Sequence, residues 1–490
     1  MKKWIAMLLL LAMVLTLCAC GADKEGDSKP TEGGSALDGV FSVGFGRVDI
    51  TPKDSVPLRG YGGDTSQRMS QGFLDYLYAT CIAMTDKDGN TMLLIHSDLI
   101  GALDVVVKPV VLEVSQRTGV PQNNVVFAGT HTHHGPDMNN TKEPAIASFN
   151  NSLPGMLADA AEAAMADRTA AQMYTGSTKI PANTLNFIRH YKLANGTYAG
   201  DNFGDFSGTS IVDHHHEADS TMQLLQFKRE GKEDVVMVNW QAHPHRTGAF
   251  DDSSRYYNSL TSDIVGSMRS AMEKDLGCKF IYFTGAAGNI NSHSNINKEN
   301  ITKDPWEQGK ALAEYAKQIL QETKAAETGT IRSTTYVYEG PTDKSKVHLL
   351  DKAYKVNDFY NSNGKNLKAS IAYARSLGLN SWHEAMAIIS KATAAETDKI
   401  TMAALSCGSV GFIVAPYEMF DENGLYVKEH SPFDMTFVLS CANGVRGYIS
   451  SVAGFEVDCY GSNTGPFAKG CAEAIAEQYV TMLTELHNAK

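Results

Sequence analysis

Short, almost unbroken apolar runs recur along this chain, separated by longer stretches with helical spacing. The runs cover residues 91–95, 125–128, 235–240, 280–283, 412–415 and 436–439. They are rich in apolar and β-prone side chains and bounded by turn residues. That is how a strand buried on both faces reads. Apolar positions at spacings of three and four predict helices over 106–118, 153–166, 260–276, 306–324, 382–394 and 467–487. The alternation predicts an α/β fold: a mixed, largely buried sheet flanked by helices. Residues 342–399 are more polar and more helical, and read as a helical element inserted over that core. No internal repeat is present.

The two ends read differently. Lys2 and Lys3 precede an apolar run from Trp4 to Ala19, which is too short for an ordinary membrane span and suits a secretory leader. It ends Leu17-Cys18-Ala19-Cys20, which resembles a bacterial lipobox. Residues 1–20 are therefore read as a lipoprotein signal with Cys20 as the lipidated residue, although Cys18 stands where a small residue such as Ala or Ser is usual. Ordinary cleavage and secretion is the alternative. Residues 21–39 are Gly, Ser, Asp, Lys and Glu with little apolar content, a flexible tether. Residues 40–490 form the catalytic unit on this reading. The expected location is extracytoplasmic, held to the membrane by the N-terminal lipid.

The formal charge of −12 becomes more negative when Lys2 and Lys3 leave with the signal. An acidic chain with no basic stripe is a poor partner for nucleic acid. Six cysteines remain after the leader, with no Cys-x-x-Cys pair, so they read mostly as buried small apolar residues rather than a zinc site.

The chemistry gathers where the apolar runs end. Residues 125–128 lead into Gly129-Thr130-His131-Thr132-His133-His134-Gly135-Pro136. Residues 235–240 lead into Gln241-Ala242-His243-Pro244-His245. Residues 280–283 lead into Thr284-Gly285-Ala286-Ala287-Gly288-Asn289, and residues 412–415 into Pro416-Tyr417-Glu418. Open α/β sheets bind ligands beyond the carboxyl ends of their strands. A shared pocket with a metal site is expected there. Imidazole is the commonest zinc ligand, and positions i and i+2 of a strand face the same way, so His131 and His133 are expected to converge. His243, His245 and Glu418 complete the candidate ligands. His214-His215-His216 lies in a polar stretch and reads as a solvated loop. Other hydrolytic templates fail: there is no Gly-x-Ser-x-Gly elbow and no His-Glu-x-x-His.

Together these blocks resemble the neutral/alkaline ceramidases. Gly44-Phe45-Gly46-Arg47-Val48-Asp49-Ile50-Thr51-Pro52 is similar to their opening strand, and Gly129–Pro136 to their His-Thr-His block. Asn239-Trp240-Gln241-Ala242-His243-Pro244, Ser262-Asp263-Ile264-Val265-Gly266, Ala415-Pro416-Tyr417-Glu418-Met419-Phe420 and Ala442-Asn443-Gly444-Val445-Arg446-Gly447-Tyr448-Ile449 follow in the family's order. The resemblance implies one catalytic zinc held by His131, His243, Glu418 and Tyr448. It implies His133 as a polar partner of the reacting carbonyl and Arg189 as an active-site arginine, against a loop charge on the surface. The implied reaction is hydrolysis of the amide of ceramide, or a related N-acyl lipid, by metal-activated water.

Two departures bear on this. The family's glycine-rich turn carries a serine where this chain has Asn291, with Ser292 one residue late. An asparagine can donate a hydrogen bond to an oxyanion but cannot be a nucleophile. The resemblance would place a β-sandwich domain after the catalytic unit; since the sequence stops at Lys490, that domain is expected to be absent, which puts ceramide itself in doubt as the substrate. A related metal hydrolase with another substrate, and a surface lipoprotein that binds without turnover, are the alternatives. The His and carboxylate set also suits several divalent metals.

Overall fold

A computed structural model describes residues 37–200, 202–206, 208–249, 256–296 and 305–489. Residues 1–36, and with them Cys20, the signal reading and most of the tether, lie outside the described residues.

Each of the six apolar runs is a strand: Thr91–Ser97, Val125–Gly129, Val235–Trp240, Lys279–Thr284, Val410–Ala415 and Met435–Ser440. All six are almost wholly buried, which is why they lack a polar face. They form three parallel pairs: Thr91–Ser97 with Val125–Gly129, Val235–Trp240 with Lys279–Thr284, and Val410–Ala415 with Met435–Ser440. Antiparallel strands join the first two pairs into one large mixed sheet. These are Ser42–Asp49, Tyr78–Thr85, Thr169–Lys179 and Thr221–Arg229. The third pair belongs to a second sheet of four strands, completed by Ile331–Pro341 and Thr397–Cys407.

The side-chain alternation of the strands shows how the layers stack. Leu93, Ile95, Val125 and Phe127 pack with residues of the helices Asp104–Thr118 and Pro144–Ala166. Their neighbours Met92, Leu94, Val126 and Ala128 point the other way, into a core shared with Phe412, Val414, Phe437 and Leu439 of the second sheet. The helices Ile264–Leu276 and Pro305–Gln321 supply further residues to the core outside Val235–Trp240. Cys471–Asn488 covers the outer face of the second sheet. The mixed α/β architecture is as expected, with a second sheet packed inside it.

Three helices, Leu350–Ser362, Leu367–Ser376 and Trp382–Thr393, fall between the antiparallel neighbours Ile331–Pro341 and Thr397–Cys407. They have a small core of their own around Val356, Ala385 and Ile388. The helical insertion expected over 342–399 is therefore present. Among the described residues, Cys81, Cys278, Cys407, Cys441, Cys459 and Cys471 are all buried and free. Among the described residues, no helix is long and apolar enough to cross a membrane.

Candidate metal and catalytic site

The carboxyl ends of the parallel strands bring His131, His133, His243 and Glu418 together. One donor nitrogen from each of the three histidines lies within 4.8 Å of the others. The His131 and His243 rings are 4.7 Å apart between centroids, and His131 and His133 are 5.1 Å apart. The route differs from the expected strand alternation. The strand stops at Gly129, and His131 takes φ +69°, in the left-handed region where histidine is one of the better-tolerated side chains. Its amide donates to Leu99 O at 3.0 Å, so the chain turns rather than continuing the ladder.

Local bonds fix the imidazoles. His131 Nδ1 is 2.8 Å from Ile100 O, and His243 Nδ1 is 2.9 Å from Ile290 O. A carbonyl only accepts, so both Nδ1 atoms carry the hydrogen and donate it. In the neutral rings, both Nε2 atoms are therefore acceptors. They lie 3.2 Å and 3.1 Å from the same oxygen, Glu418 Oε2. Three acceptors facing one another require a proton or a cation among them. Burial disfavours charge on the His131 ring, but Glu418 outweighs it and holds that imidazole well above its ordinary range. Burial likewise opposes ionisation of Glu418, but His131 and His243 hold the carboxyl well below its ordinary range. A divalent ion answers the same demand, and two imidazoles with backbone-bonded Nδ1 atoms plus a carboxylate form a zinc donor set. The residues fit the metal.

Tyr448 stands beside this group because Glu418–Met419 and Tyr448–Ile449 pair as short parallel strands, with Glu418 opposite Tyr448. Burial and the charge of Glu418 push the phenol well above its ordinary range, while Arg189 pulls it down. A cation would add to that pull. Arg189 places its guanidinium 4.9 Å from the Tyr448 ring centre and 5.6 Å from that of Tyr460. At 6% exposure it is a buried site cation, not a surface loop charge.

His133 has no hydrogen-bond partner for either ring nitrogen among the described residues. Burial and the surrounding histidines push it well below its ordinary range, so it stays neutral. His245, weighed as a ligand from sequence, instead stands 3.2 Å from Asn291 Oδ1 through its Nε2. Asn291 bridges to His243 through the backbone, whereas Ser292 lines a neighbouring cavity of about 430 Å³ with Leu185, Phe187 and Ile296. His134 is structural, tied to Ser259 O and Arg68.

Two supports stand in blocks already quoted from the sequence, but their roles appear only in the fold. Asp263 caps the helix Ile264–Leu276, and its carboxylate also accepts from the amides of Arg246 and Thr247, fixing the chain just after His245. An Asp before an apolar helical run is the signal that was there to read. Gly288 is the other. A Cβ there would lie 2.6 Å from Glu418 O, backbone that cannot step aside, and Gly288 N donates to Met419 O at 2.7 Å. Gly288→Ala is expected to lower stability by about 1–3 kcal/mol through overpacking. It should also weaken any metal binding at this site, because the strain falls on the residue that carries the carboxylate. Thermal melting and a zinc titration of the variant check both effects.

His214-His215-His216 is not the solvated loop expected. His214 is 4% exposed, closes the strand Ile211–His214 and bonds Ser294 Oγ at 2.9 Å, while His216 reaches Asp421. Polar composition concealed a stretch pinned from both sides.

The family model for the N-terminal part of neutral/alkaline non-lysosomal ceramidases matches residues 41–301. Among solved structures, the neutral ceramidase from Pseudomonas aeruginosa superposes with a TM-score of 0.65 at 16% identity, covering 92% of this chain and 75% of that one. A structure described as a ceramidase complexed with C2 gives 0.64 at 15% identity, covering 92% and 76%. At these identities the likeness carries the fold, and the family match carries the membership.

Proposed function

The chain belongs to the neutral/alkaline non-lysosomal ceramidase family, and on that premise we propose that it is a zinc amidohydrolase acting on ceramide or a related N-acyl lipid. The observation that carries this reading is the meeting of His131 Nε2 and His243 Nε2 on Glu418 Oε2, with both Nδ1 hydrogens already committed to carbonyls. His131, His243, Glu418 and Tyr448 are the proposed ligands. When bound, zinc supplies Lewis acidity that activates water and polarises an amide carbonyl.

The chain's own groups do the rest. Neutral His133 accepts a proton as water adds to the carbonyl carbon, and returns it to the leaving nitrogen as the C–N bond breaks. The products are a fatty acid and an amine. Arg189 offers a fixed positive charge to the developing oxyanion or to a substrate hydroxyl. Asn291, held by His245, contributes a neutral amide and no nucleophile. The cavity beside Ser292 has an apolar side of Leu185, Phe187, Ile296 and Ala311 that suits an acyl chain, and a polar side with Asp213, Arg246, His293 and Glu307. A lipid on Cys20 would keep the enzyme near membrane-derived substrate.

Turnover of a fluorescent ceramide is expected to disappear with a strong chelator and to return when stoichiometric zinc is restored. Cleavage that survives the chelator removes the metal from the mechanism. Zinc bound without cleavage removes ceramide as the substrate.

A further inference from the structure

The second histidine run leads to another cluster. His216 Nε2 lies 3.2 Å from Asp421 Oδ1 and 3.7 Å from Glu422 Oε1. Donor atoms of the three residues all lie within 4.8 Å of one another. Asp421 and Glu422 open the helix Asp421–His430, and Asp421 is 3% exposed. Asn289 Nδ2 sits between the two carboxylates, 2.5 Å from Asp421 Oδ1 and 3.1 Å from Glu422 Oε2.

Two carboxylates side by side, with Asp421 buried and Glu422 half-buried, call for positive charge between them. Among the described residues their ion pairs run to His216 alone, and the nearby Lys428 is spent on Asp219 at 2.8 Å. A second imidazole borders the cluster. His190 is 2% exposed, and its Nε2 has no hydrogen-bond partner among the described residues. Its ring packs 5.7 Å from that of Phe420, the residue before Asp421.

We propose that His216, Asp421 and Glu422 form a second metal site, separate from the histidine cluster, for a first-row divalent transition ion such as zinc or manganese. An imidazole beside carboxylates selects that class over calcium or magnesium, which prefer all-oxygen shells. The His216 and Glu422 side chains are 27% and 32% exposed, which leaves room for water to complete the coordination. An ion there would tie residues 214–216 to the segment that carries Glu418. Asn289 would link it to the turn that carries Asn291.

The test is a metal count on the full-length protein, stripped with chelator, reloaded with zinc alone, desalted and analysed by mass spectrometry. The wild type is expected to retain about two ions per chain, and His131→Ala, His216→Ala and Glu422→Gln about one each. Glu422→Gln is nearly isosteric, and circular dichroism on each variant separates lost metal from lost fold. If His216→Ala and Glu422→Gln both keep the wild-type count, with zinc and again with manganese, the second site is overturned. If His131→Ala keeps its full count while His216→Ala loses one ion, the second site stands and the zinc ligands proposed above are wrong.

Discussion

On the proposed zinc mechanism, His131→Ala is expected to lose the metal and to cut amide hydrolysis by at least about a thousandfold, roughly 4 kcal/mol of barrier. The substitution deletes one of the two nitrogens that face Glu418 Oε2 and leaves that carboxylate with His243 alone. Alanine at φ +69° also loses the modest tolerance that histidine has for this left-handed region. Melting therefore has to accompany the assay. His133→Gln makes the contrast. Its ring nitrogens have no described partner, and it is assigned proton transfer rather than ligation. It should keep the zinc while kcat falls by about 10²–10⁴. Loss of zinc from His133→Gln would move that residue into the ligand set, where its distance to His131 and His243 would also allow it to stand.

The parts of the fold legible from sequence were those with one unambiguous cause. Val125–Gly129 and Val235–Trp240 are buried on both faces, so nearly every position is apolar (Asn239 is the exception) and the runs stood out. The polar residues after them stood out for the same reason. Strands such as Thr169–Lys179 were not legible. Most of its residues are only partly buried, and it carries Ala, Gln, Thr and Gly rather than a clean alternation. The four-stranded sheet was hidden because nothing in one strand tells which sheet it joins. Within the site, His131, His243 and Glu418 could be picked out by residue type and position. Tyr448 could not, since only the pairing of Glu418 with Tyr448 brings it close, and it entered through the family resemblance. His214–His216 misled because a polar neighbourhood was taken for solvent, while its partners Ser294 and Asp421 are far away in sequence.

The framework behind His131 depends on another long-range pair, and breaking it should have the largest effect on stability. Arg269 Nη2 lies 2.7 Å from both carboxylate oxygens of Asp98, and the two side chains are 6% and 0% exposed. Asp98 Oδ2 also accepts from Tyr78 N at 2.8 Å. Burial opposes the charge on Asp98, but Arg269 outweighs it and holds the carboxyl down to about 2. Arg269→Met leaves that carboxylate buried without its cation. The nearby His96, 3.4 Å away, is no substitute, because burial pushes its imidazole down and keeps it neutral. The expected loss is about 3–5 kcal/mol at neutral pH. The sign with pH follows. A depressed carboxyl stabilises fully above its unfolded value near 3.9, and that contribution fades as pH falls through about 2. The gap between wild type and variant should therefore narrow towards acid, as protonation relieves the stranded carboxylate. Pairing Arg269→Met with Asp98→Asn should recover much of the loss, because neither charge is then stranded. Zinc affinity should follow stability across the set, since Leu99 and Ile100, next to Asp98, supply the carbonyls that hold His131. A double variant as unstable as Arg269→Met would show that packing, and not the buried charge, sets the cost.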